Sequence, residues 1–188
     1  TLAYIKKNKM ILVFRYQLNI AIPTTFKRIA ETNQLTADYN IIDSENIRER
    51  LKTPNTEIDK KIIYHIDNGL LMSDAFLIES LIQDWDSDKK NILVNFPKNV
   101  EQLNTLKYYL EKFNDTIDKI IYYKINDFEK IYDIAQINYG KVYDADTKES
   151  TIESMQNHMT KTEEMIKKLV DIPMIELDFL NEDLNVLK

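Results

Sequence analysis

The chain has no cysteine, which excludes disulfides and every metal site built on thiolates. Its two histidines, His65 and His158, leave few ligands for a zinc or iron centre. Glycine is nearly as scarce, with Gly69 and Gly140 the whole supply. A loop that wraps phosphates in backbone N–H groups needs glycines at fixed positions and a lysine beside them, and neither glycine stands in a suitable turn. Arginine stops early: Arg15, Arg28, Arg48 and Arg50 are the only four. No apolar run approaches the ~18–20 residues of a membrane span, and the N-terminus lacks the apolar stretch of a secretory signal. The expectation is a soluble, intracellular protein with no membrane insertion. The chain starts at Thr1 rather than Met, as a processed product or a piece of something longer would.

What is present is enough apolar material for one compact body. The 188 residues are 44% hydrophobic and 30% charged, which fits a single domain with a substantial core. Lys and Arg number 25 against 31 Asp and Glu, a formal charge of -6. An acidic balance argues against a partner with a phosphate backbone, so nucleic acid is excluded as an expected ligand. No cofactor and no metal are expected.

Strand-like runs alternate with helical ones along the whole chain, the pattern of an α/β protein whose parallel sheet is flanked by crossover helices. The strand candidates are residues 10–15, 39–42, 92–96 and 119–125. The last two are nearly unbroken apolar, β-branched or aromatic, as expected for the middle of a sheet buried on both faces. Pro23 suits the first turn of a helix carrying Phe26, Ile29 and Ala30. Asp43 or Ser44 caps the next, with Ile47 and Leu51 on its apolar side. A third helix runs to Asn68 with Ile58, Ile62 and Ile66 at four-residue spacing and Gly69 as its stop. Ser73 caps a fourth whose buried face is Phe76, Leu77, Ser80, Leu81 and Trp85. Periodicity is lost from 138 to 150, an excursion, and helix returns from Ile152 to Leu180 with a break at Pro173.

Between the apolar run Met10–Phe14 and the helix opened by Pro23 lies the turn Tyr16-Gln17-Leu18-Asn19-Ile20-Ala21-Ile22-Pro23. Its length and flanks suit a phosphate loop, but it holds no glycine and no lysine. Non-glycine residues in left-handed conformations cost about 1–2 kcal/mol each, so this turn takes a different backbone path. Leu18, Ile20 or Ile22 is expected to fill the space a phosphate would occupy.

Motifs further along agree in order. Asp43-Ser44-Glu45-Asn46-Ile47-Arg48, Asn68-Gly69-Leu70-Leu71-Met72-Ser73-Asp74, Asn95-Phe96-Pro97-Lys98-Asn99-Val100-Glu101-Gln102 and Thr162-Glu163-Glu164-Met165-Ile166-Lys167-Lys168 stand in sequence. Together with Lys27-Arg28-Ile29-Ala30-Glu31, they resemble the adenylate kinase family of nucleoside monophosphate kinases. The third is the most specific, similar to the family's Asp-Gly-Phe-Pro-Arg-x-x-x-Gln. The resemblance covers nearly the whole chain and implies a P-loop-kinase-like parallel sheet. It also implies a monophosphate-binding-like helical pair over 44–70 and a remnant lid over 136–160.

The same resemblance marks what has changed. It places the loop glycines at Tyr16, Asn19, Ala21 and Pro23 and the loop lysine at Ile22, so this is a degenerate P-loop. Only Thr24 keeps its hydroxyl-bearing position. Val94 replaces a magnesium-holding aspartate, and the lid and post-lid arginines fall on Gln136 or its neighbours, His158 and Leu169. On the monophosphate side, Arg48, Lys98 and Gln102 stand where the family contacts nucleotide phosphate and base, although Lys98 lacks the bidentate fork of arginine. Phosphoryl transfer rests on positioning and charge neutralisation, and one arginine finger is worth about 10³–10⁵ in rate. The reading is therefore a catalytically inactive adenylate-kinase-like domain, a structural or docking subunit whose partners are other proteins of a larger assembly. By family analogy that assembly is a ciliary axoneme or an organellar complex. The alternatives are a sensor that binds AMP without turnover and an active kinase that has rebuilt its site on Lys141, Lys148 or Lys161.

Plainer readings stand beside these. His65 and His158 suit half-buried structural positions, and Asp84, Asp86 and Asp88 suit a solvated loop rather than a cation site. Eleven tyrosines include Tyr108-Tyr109, Tyr122-Tyr123 and Tyr139/Tyr143 as candidate interface anchors.

Overall fold

The computed structural model describes residues 9–14, 37–139 and 147–180. The chain runs β1 (Lys9–Phe14), β2 (Tyr39–Ile42), α1 (Ser44–Leu51), α2 (Glu57–Asp67), α3 (Asp74–Ile82) and β3 (Lys90–Val94). It continues through α4 (Val100–Lys112), β4 (Thr116–Lys124), α5 (Phe128–Tyr139), α6 (Lys148–Ile166) and β5 (Met174–Asp178). The turn at 16–23, Thr24 and the helix opened by Pro23 lie outside the described residues.

All strand pairs are parallel, and the order across the sheet is β2-β3-β1-β4-β5. β1 is the centre, its Met10 to Phe14 all buried, because strands on both sides pair with it and helices cover its faces. Ile11 to Val13 align with Ile92 to Val94 of β3 on one side and with Lys119 to Ile121 of β4 on the other. The two runs expected in the middle of the sheet thus flank β1. Leu103, Leu106 and Leu110 of α4, Met155 and Met159 of α6, Ile131 of α5 and Ile78 with Leu81 of α3 complete the core.

Local chemistry sets the helix ends. Thr56 and Asp59 form a reciprocal capping box at the start of α2, satisfying N–H groups that have no helical partner. Ser73, Asn99 and Thr147 cap α3, α4 and α6 through their side chains. Gly69 stops α2 at φ 61°, with its N–H donating to Ile66 O and that of Leu70 to His65 O.

The structure corrects the sequence reading in several places. The segment after Pro173 is strand, not helix: β5 pairs with β4 from Ile120–Met174 to Lys124–Asp178. Met-Ile-Glu-Leu-Asp alternates with period two, and as an edge strand it turns Ile175 and Leu177 inward. Of the Ile58/Ile62/Ile66 stripe only Ile62 is fully buried, and Ile66 is exposed. Ile78, not Phe76 or Leu77, is the innermost residue of α3. Tyr122 and Tyr123 are core residues of β4 rather than interface anchors; the Tyr122 hydroxyl donates to Glu163 Oε1 at 3.0 Å, joining the sheet to α6. In the range 136–160, residues 136–139 lie in α5 and 148–160 in α6, while 140–146 lie outside the described residues, so the lid expectation is not decided by them.

At the opposite end of the sheet from the motif-bearing loops, Asp115 is buried in the turn into β4. Its Oδ1 accepts from the Thr116 N–H at 2.7 Å, while its Oδ2 has no partner. Burial pushes this carboxyl up to about 6, against the opposing pull of the Thr116 N–H. Because the folded value is raised, ionisation penalises the folded state above pH 6, and the penalty vanishes below the unfolded value near 4. A rise of this size is worth about 1–3 kcal/mol. Asp115→Asn is expected to gain that much stability at pH 7.5 in urea unfolding and nothing at pH 4; equal effects at both would contradict the assignment.

Candidate functional site

In an open parallel sheet, ligands bind beyond the C-terminal strand ends where adjacent connections diverge. Here β1 leaves toward β2 on one side and β3 crosses to β4 on the other, so the crevice lies between the ends of β1 and β3. The β1 end runs into the turn at 16–23, outside the described residues. The β3 end is well defined and carries the most specific of the sequence motifs.

β3 stops at Val94 because Asn95 takes φ 58°, a left-handed conformation that asparagine tolerates better than most residues. This is where the resembled motif has glycine, so the backbone turn is kept with a different side chain. The Asn95 N–H donates to Val13 O at 2.7 Å, and Phe96–Pro97 is a cis peptide. Val94 itself is 2% exposed and aligned with Val13. A buried isopropyl group therefore stands where the resemblance places a magnesium-holding aspartate. Among the described residues no cluster of His, Asp and Glu suits a metal ion.

The monophosphate-side residues meet different fates. Gln102 is buried, and its side-chain amide is engaged within the fold: Nε2 donates to Asp74 Oδ1 at 2.6 Å and Oε1 accepts from the Lys98 N–H at 2.8 Å. Asn99, capping α4, donates to the other oxygen of Asp74 at 3.3 Å. Gln102 thereby ties the loop after β3 to the start of α3. Lys98 is exposed, with Nζ 5.1 Å from the Phe96 ring centroid. Arg48 is exposed on α1. Thr24 and the degenerate P-loop positions Tyr16, Asn19, Ala21, Ile22 and Pro23 lie outside the described residues.

On the α6 side, Ser150, Glu153, Ser154, Asn157, His158 and Lys161 line a groove of about 480 Å³. Their spacing is one helical stripe. Burial, then the Lys98 and Lys161 charges, hold the His158 imidazole below its ordinary value, so it is neutral at pH 7. Leu169, the other position given to a post-lid arginine, is part of the hydrophobic core. Gln136 is in α5, and its side chain lies outside the described residues. Lys148 is held by Glu129 and Asp133, both at 3.1 Å.

Sequence reasoning missed Arg50 and Asp59. Asp84 does hold a cation, but it is the Arg50 guanidinium, at 2.5 Å, so this part of the loop is not simply solvated. Asp86 instead accepts from the Asp88 N–H at 2.8 Å. His65 donates its Nδ1–H to Lys61 O at 2.7 Å and packs on Phe76 with ring centroids 5.6 Å apart, a structural placement.

No protein-family model matches the chain. Among curated proteins it is similar to the adenylate kinase of Caldicellulosiruptor bescii, 35% identical over 96 residues, and to that of Caldicellulosiruptor saccharolyticus, 35% identical over 98. Each match takes in 49% of this chain and 43% of the relative, so the chain spans about half the length of the curated relatives it matches. The structure is a parallel sheet flanked by helices, and about half of the sequence is similar to these adenylate kinases.

Proposed function

We propose that this adenylate-kinase-like domain performs no phosphoryl transfer and serves as a structural or docking subunit among other proteins. One observation carries the proposal. At the C-terminal end of β3, where charge handling is needed, Val94 is buried as part of the apolar core. Three sequence facts support it: Ile22 at the loop lysine, no arginine beyond residue 50, and no glycine in the turn. The axonemal setting rests on family analogy alone; the docking role does not depend on it. Incubated with Mg-ATP and AMP, the purified chain is expected to form no ADP above a buffer control. ADP formation that Lys98→Ala abolishes would overturn this reading.

A second reading, a sensor that binds adenine nucleotides without turnover, is favoured by the groove along α6 and the exposed cations Arg48 and Lys98. Calorimetric titration with AMP, ADP and ATP separates the two. The structural reading expects no heat at millimolar ligand, and saturable heat lost in Arg48→Ala supports the sensor. A rebuilt kinase site is less well supported, because the Lys148 ammonium is committed to Glu129 and Asp133.

A further inference from the structure

The α1–α2 hairpin is attached to the body with little apolar packing. Of the α2 residues only Asp59 and Ile62 are buried, and Tyr64 and Ile66 face outward. From α1, Ile47 packs against the core only partly buried. A unit with so few buried contacts opens easily unless something else holds it.

Arg50 supplies the hold. From α1, its guanidinium gathers groups of α2, α3 and the turn after α3. Nε donates to Asp59 Oδ1 at 2.7 Å, Nη1 to Asp84 Oδ2 at 2.5 Å, and Nη2 to the Ser80 carbonyl at 2.9 Å and hydroxyl at 3.0 Å. The Arg50 side chain is 16% exposed and that of Asp59 fully buried, so these charge-assisted bonds are little screened. Asp59 is simultaneously the return partner in the α2 capping box. The Asp84 carbonyl accepts from Asn40 Nδ2 at 2.6 Å, and Asn40 also donates to buried Asn91 at 2.8 Å. The grip on the hairpin thus continues into β2 and β3.

We propose that Arg50 is a latch: residues 44–67 dock on α3 and the Asp84 turn as one unit, which opens as a whole when this guanidinium is removed while the sheet stays folded. The latch stands apart from the phosphoryl-transfer question and holds whether or not the chain binds nucleotide. Removing one member of a buried ion pair strands the others, so the effect is large.

Amide hydrogen exchange on the full chain tests it, comparing the parent with Arg50→Met and with the shape-conserving Asp84→Asn. Arg50→Met is expected to speed exchange of α1 and α2 amides about 100-fold and Asp84→Asn about 10-fold. Amides of β1, β3 and β4 keep their parental rates in both. Unchanged rates in the hairpin would overturn the latch. So would equal acceleration of hairpin and sheet, or failure of Arg50→Met to fold, since each makes Arg50 a support of the whole domain.

Discussion

Leu169→Arg is expected to destabilise the chain by about 4 kcal/mol or more and to yield no kinase activity. The substitution puts back an arginine at a position where the family resemblance places one. Leu169, 4% exposed, packs in the core cluster just after α6. Its backbone closes the turn there, donating to Ile166 O at 2.8 Å and accepting from the Ile172 N–H at 3.0 Å. Losing a buried leucine costs about 2–5 kcal/mol by itself. A guanidinium in the same space adds the cost of a charge without a matched partner. Urea unfolding measures the loss. A variant as stable as the parent would mean that residue 169 still opens onto a polar site, and the structural proposal would weaken accordingly.

Val94→Asp carries the second large effect. It restores the carboxylate of the resembled motif to a position 2% exposed and aligned with Val13. Burial raises the pKa of such a carboxyl above its unfolded value. The sign follows: ionisation penalises the folded state above the raised value, and the penalty disappears as pH falls below the unfolded one. The expected loss is about 2–4 kcal/mol at pH 7, shrinking when unfolding is repeated at pH 5. ADP formation is expected to stay at the buffer level, because one arginine finger alone is worth about 10³–10⁵ in rate and the chain has no arginine past Arg50. Parental stability at pH 7 would show that the carboxylate finds solvent or a cation, leaving a usable metal position.

Legibility differed by the kind of interaction involved. β1, β3 and β4 stood out because strands buried on both faces leave unbroken apolar runs. Ser73 could be recognised as a cap because capping is a local event spanning three residues; the Thr56 and Asn99 caps were not read from the sequence. β5 was misread: five residues beyond Pro173 carry too short an alternation to outweigh the helical pattern of α6 before them. Tyr122 and Tyr123 looked like spare aromatics by count, yet β4 buries both in the core.

The candidate site divides in the same way. What the resemblance marks as lost could be read from the chain: no glycine or lysine at 16–23, Val94 where the resembled motif has aspartate, no arginine past Arg50. Such absences need no geometry, since a missing functional group is missing in every conformation. What Gln102 and Arg50 do was decided only by the tertiary structure. Gln102 meets Asp74 from 28 positions away, and Arg50 meets Asp84 from 34. Periodicity tells which face of a helix is buried but not which polar side chains meet across the fold. Those partners are set by how the packed sheet and helices bring distant segments together, and the cost of burying an unpaired polar group then requires that they pair.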